Sequence, residues 1–195
     1  MARTFRRHAR LDGTRKIFCN FELNPVRKVK AHILPCGPQT VRNASRMKQV
    51  IVFEGPKNSG KTDAIRKTYE ELLSTLRAGQ VNARIVGKLK PKETHIVITI
   101  DEVRIGITSA GDTPQEVKNR LRLLELAGCT VIVCASRNDS PGCTDAVDNL
   151  MNSGFEIERV SKEKEPEGAT QDEIEAANQQ AAHEVALRIL QLLGK

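Results

Sequence analysis

Val50-Ile51-Val52-Phe53-Glu54-Gly55-Pro56-Lys57-Asn58-Ser59-Gly60-Lys61-Thr62 is the stretch on which the fold of this 195-residue chain turns. Residues 50–53 are an unbroken apolar run, the pattern of a strand buried on both faces of a parallel sheet. Gly55 to Thr62 then follow the spacing G-x-x-x-x-G-K-[ST]. From Lys61 the apolar period becomes helical, with Ile65, Tyr69, Leu72, Leu73 and Leu76 on one face. Strand, glycine-rich loop and helix N-terminus in this order make an anion site. Loop amides form a concave nest, the helix terminus adds partial positive charge, and the two glycines let the chain close around oxygen atoms. The spacing therefore marks Gly55, Pro56, Lys57, Asn58, Ser59, Gly60, Lys61 and Thr62 as a phosphate-binding segment. Lys61 is expected to reach the β- and γ-phosphates and Thr62 to place its hydroxyl on Mg²⁺.

Downstream the same alternation continues. Gly79 suits a helix C-cap. A weak strand is expected at 83–86, followed by a basic stretch with Lys88, Lys90 and Lys92, read as a solvated loop or as a contact for an anionic substrate. Residues 96–100 and 103–107 are strand-like. Thr113-Pro114-Gln115-Glu116 is a capped helix start, with Val117, Leu121 and Leu124 as its buried stripe. Residues 130–135 are another buried strand, 136–143 a polar loop, and Thr144 caps a shorter helix ending near Gly154. A last strand is expected at 155–160 and a charged linker at 161–170. Thr170 and Glu173 form a second capping box. The helix after it presents Ile174, Ala177, Ala181, Val185, Ile189 and Leu192, a stripe that needs a partner surface. The expectation is α/β: a three-layer domain over 47–160 with a mostly parallel sheet and one antiparallel hairpin. The helix over 171–195 docks on that domain.

Connection length narrows the second acidic group. Only Asp101 and Glu102 separate 96–100 from 103–108, which forces a reversal, although a two-residue turn favours Gly. The strand at 104–108 returns through the capped helix to 130–135, a parallel βαβ unit. Asp112 is then expected at the same sheet edge as Thr62, serving the metal, with Asp101 as the alternative. Arg137 leaves strand 130–135 at that edge and is a candidate for stabilising charge on a transferring phosphoryl group; otherwise it is a solvated loop Arg. Ser136 is a weaker neighbour. Cys134 reads as a small core residue and His95 as a surface one.

Residues 51–55 with Ser59-Gly60-Lys61-Thr62 resemble the P-loop NTPase superfamily, and more narrowly the first strand and loop of small nucleotide kinases of the thymidylate kinase type. The resemblance implies ATP and Mg²⁺ as cofactors and kinase or NTPase chemistry. No Asn/Thr-Lys-x-Asp guanine signature is present, which favours ATP over GTP. Two functions stay open: a phosphotransferase or NTP hydrolase, or a nucleotide-dependent switch acting on a protein or nucleic-acid partner with little turnover.

Composition removes other classes. Aromatics are 3% of the chain with no Trp, too few for a base-stacking platform. No run of about 18 apolar residues is present, so no membrane span is expected. Five Cys without a C-x-x-C pair disfavour a disulfide framework or zinc site and suit a reducing, cytoplasmic setting. The chain carries 31 Lys and Arg against 24 acids, but 11 of the basic residues lie in 1–46 beside only Asp12 and Glu22. That segment lacks any apolar period. It reads as a disordered or extraneous extension, since Met47 opens the regular pattern, or as an arm touching nucleic acid; scarce Ser argues against a targeting peptide.

Overall fold

The structure, a computed structural model, describes residues 47–90, 93–164 and 166–194. The expectations for the basic extension 1–46, and for Lys92, lie outside them.

Among the described residues six strands form one sheet: β1 (Lys48–Glu54), β2 (Ala83–Lys90), β3 (Glu93–Ile100), β4 (Val103–Thr108), β5 (Val131–Ser136) and β6 (Phe155–Ser161). Their spatial order is β2-β3-β4-β5-β1-β6. β4, β5, β1 and β6 run parallel, and β3 runs against both β2 and β4. Two antiparallel pairings therefore stand where one hairpin is expected. The sequence pattern ends the second strand at Val86, but β2 continues to Lys90, pairing Lys88 with His95 and Lys90 with Glu93. A half-exposed edge strand needs no apolar period, so the basic stretch reads as loop until its pairing partner is known.

Four helices cover the two faces: α1 (Lys61–Ala78), α2 (Pro114–Leu126), α3 (Pro141–Asp148) and α4 (Gln171–Leu192). Ile51, Phe53, Ile98, Ile107, Val133 and Ala135 face α1 and α4 in one core. Val50, Val52, Ile132 and Cys134 face α2 and α3 in the other. This alternation along β1 is why residues 50–53 read as an apolar run: each layer claims every second side chain. Thr113 caps α2, its hydroxyl accepting from the Glu116 N–H. Thr170 and Glu173 close the capping box on α4. Ser140, not Thr144, precedes α3, because Pro141 takes the first helical position; Thr144 lies inside the helix and donates to Glu54. No described helix is long and apolar enough to cross a membrane.

Candidate functional site

Parallel strands deliver their C-terminal ends to one edge, so the loops after β1, β4, β5 and β6 meet there. Gly60 precedes α1 with φ 78° and ψ 5°, and Asn58 also lies left-handed at φ 63°. Asn tolerates that conformation better than most side chains, and Gly is indifferent to it. The two turns bring the chain sharply from β1 into α1, whose first-turn amides have no intrahelical acceptor.

Gly55 is required for a different reason. The chain leaving β6 crosses it: the Lys162 N–H donates to Glu54 O at 2.7 Å, and a Cβ on Gly55 would lie 1.9 Å from Lys162 O. That neighbour is backbone, so it cannot swing aside. Gly55→Ala is expected to lower the melting temperature by roughly 5–10 °C, the cost of overpacking a tight backbone crossing. Thermal unfolding followed by circular dichroism checks this; an unchanged midpoint would mean the crossing is slack.

Lys61 is 7% exposed. Its ammonium donates to Gly55 O at 2.8 Å, Pro56 O at 2.6 Å and Ser59 Oγ at 3.2 Å, so it lies within the loop's own ring of oxygens. Burial lowers its pKa from the ordinary 10.5, while Asp112 and Asp139 oppose that shift. All three N–H donors are met by the loop itself, so an anion entering the cleft would compete with those oxygens for a desolvated cation.

Asn58, Ser59, Gly60, Lys61, Thr62 and Asp63 line a cleft of about 930 Å³ together with Ser109, Gly111 and Asp112 from the end of β4. Asp112 thus stands at the loop edge. Asp101 sits in the β3–β4 turn at the other end of the sheet, with φ 53°. The antiparallel reversal and the parallel β4–α2–β5 return both hold. Ser109 ties this corner together: its N–H donates to Thr94 O, and its Oγ accepts from the Thr94 N–H at 2.8 Å.

The remaining candidates are less central. Gly55, Pro56 and Lys57 do not line the cleft; the first two hold Lys61 through their carbonyls, and Lys57 is exposed. Arg137 emerges at the expected edge, but its guanidinium is held by Asp139 through two bonds of 2.9 Å and does not line the cleft. Ser136 is fully buried, its Oγ lacking a partner. Burial pushes the Cys134 thiol up to about 12, as suits a core residue. His95 is half-buried inside β3, not on the surface, and its Nδ1 is sealed without a partner.

Sequence reasoning misses one wall of the cleft. Lys164, Pro166, Glu167, Gln171, Ile174 and Asn178 line it, all from the chain after β6. The buried stripe of α4 is Asn178, Ala182, Val185, Ala186, Ile189 and Leu190. The expected Ala177 and Ala181 lie on its flank. A stripe chosen by apolarity alone skips Asn178, although it lies four residues before Ala182. A polar residue in register with a core row is the signal that could have found it.

Comparison with protein-family models, with curated proteins and with solved structures finds no match for the chain.

Proposed function

We propose that the chain is an ATP-binding P-loop protein that acts as an Mg²⁺-dependent phosphotransferase or NTP hydrolase. The observation that carries this reading is the convergence of Lys61, Thr62 and Asp112 on one cleft at the N-terminus of α1. Lys61 and the first-turn amides hold the triphosphate, where aligned peptide dipoles favour negative charge. The donor set suits Mg²⁺. Among the described residues no group of three or more His, Cys, Asp or Glu forms a cage. One hydroxyl from Thr62 and one carboxylate from Asp112 suit an ion that keeps several waters and binds substrate phosphates. When bound, Mg²⁺ neutralises charge on the phosphate chain. Thr62 and Asp112 orient that region, and Lys61 supports charge on the β- and γ-oxygens.

A second reading, a nucleotide-dependent switch with little turnover, is favoured by one feature. Arg137, the candidate for stabilising the transferring group, is engaged by Asp139. Releasing it would need a partner or a second substrate.

Thermal shift with Mg²⁺–ATP tests both. ATP at 100 times its dissociation constant adds about 2.7 kcal/mol of stability. The expected result is a clear rise in melting temperature with Mg²⁺–ATP and none with Mg²⁺ alone. Phosphate release in the same samples separates enzyme from switch. Absence of any nucleotide-dependent shift would remove the proposal.

A further inference from the structure

Asn178 is a buried polar residue on the otherwise apolar inner row of α4. It is 3% exposed, and its side chain makes no hydrogen bond with any described residue. Its Oδ1 is sealed from solvent without a partner, packed against Gly60, where a Cβ would lie 2.7 Å from Oδ1 and 3.0 Å from Nδ2. Yet the residue lines the same cleft as Lys61 and Thr62. Burying a carboxamide with no partner is costly, and Leu or Ala at this position would avoid the cost. Such a group is retained where something outside the folded chain completes it. Gly60 is the residue against which it sits, and Gly60 opens the helix whose terminus attracts anions. An anion offers only acceptors, so the Asn178 carboxamide meets it through its N–H donors, and a half-turn of the amide exchanges the sealed Oδ1 for Nδ2.

We propose that Asn178 is a ligand-binding residue supplied by the C-terminal helix, its Nδ2 donating to an anionic oxygen of the phosphate chain held at Gly60-Lys61-Thr62. This rests on the phosphate reading of the cleft and extends it to an element outside the motif. It also gives α4 a role: the helix that packs on α1 completes the site. The phosphate-binding motif therefore works at full affinity only with α4 docked. Gly60 serves both sides, since any side chain there would displace Asn178.

The test is calorimetric titration of the full chain with Mg²⁺–tripolyphosphate and with Mg²⁺–ATP, for wild type, Asn178→Ala and Asn178→Asp. A charge-assisted hydrogen bond lost from the site predicts roughly tenfold weaker binding of both ligands by Asn178→Ala. The melting temperature of the ligand-free variant should not fall, because the side chain has no hydrogen bond to a described residue to lose. Asn178→Asp keeps the shape, removes both donors and adds negative charge, so it should bind more weakly still. Amide NMR gives a readout on the unaltered protein: the Asn178 side-chain NH₂ resonance, identified by its loss in Asn178→Asp, should shift on adding Mg²⁺–tripolyphosphate. Wild-type affinity for tripolyphosphate in Asn178→Ala would overturn the assignment. So would weakened ATP binding with tripolyphosphate unchanged, which would put Asn178 against the nucleoside. A lower ligand-free melting temperature with an unmoved side-chain resonance would make it structural. Wild type binding neither ligand is a separate result, which removes the phosphate reading itself.

Discussion

Lys61→Ala is expected to abolish the stabilisation of the protein by Mg²⁺–ATP while leaving the ligand-free fold intact. The ammonium is buried, but its three acceptors are the carbonyls of Gly55 and Pro56 and the Ser59 hydroxyl, all within the loop. None belongs to the two apolar cores that hold the sheet to its helices. Removing it also removes a cation whose pKa burial already lowers, so the ligand-free protein loses little. The bound state loses the charge opposite the β- and γ-phosphates. At ATP 100 times the wild-type dissociation constant, the missing stabilisation is about 2.7 kcal/mol. For a domain of this size that is a melting shift of roughly 5–10 °C. Differential scanning calorimetry with and without Mg²⁺–ATP measures it directly. An undiminished shift in the variant would mean that nucleotide binds elsewhere.

Asp112→Asn should reduce Mg²⁺-dependent phosphate release by roughly 10² to 10³, the effect of losing 3–4 kcal/mol of transition-state stabilisation. Asp101→Asn should leave the rate near wild type. The contrast follows from the sheet. β4 runs parallel to β5, and β5 to β1, so the chain leaving β4 emerges beside Thr62. The β3–β4 turn lies at the other edge. Asp101 adopts φ 53°, a conformation Asn accepts readily, so that variant should also keep its stability. Asp112 has a second influence: its charge raises the pKa of Lys61 against the effect of burial. In Asp112→Asn the Lys61 ammonium should lose its proton at lower pH, so nucleotide affinity should decline earlier on the alkaline side. Rates at saturating ATP, with affinity followed against pH, separate the two effects. Equal loss in both aspartate variants would contradict the topological argument.

Much of this site is legible in the linear sequence because its chemistry is local. Gly55, Gly60, Lys61 and Thr62 are consecutive or nearly so, and backbone geometry demands the two glycines. Asp112 was reachable through connection lengths: two residues force a reversal, and a capped helix permits a parallel return. The edge pairing of β2 was harder to read. Lys88 and Lys90 are held in a strand by pairing with β3, and backbone pairing leaves no mark on a basic stretch.

The layered α/β order is written in the chain's residues, because buried strands and amphipathic helices each carry their own period. The glycine-rich turn between β1 and α1 follows as well, because strand, glycines and helix start are contiguous. The sequence leaves open that Arg137 is engaged by Asp139, that the chain after β6 crosses Gly55, and that Asn178 closes against Gly60. The first is a choice made within one loop, whereas the other two join partners whose positions depend on where separate elements pack. Asn178 lies 118 positions after Gly60, and no local pattern encodes their contact. The docking of α4 on α1 creates that contact, and a one-residue rotation of the α4 stripe would have removed it.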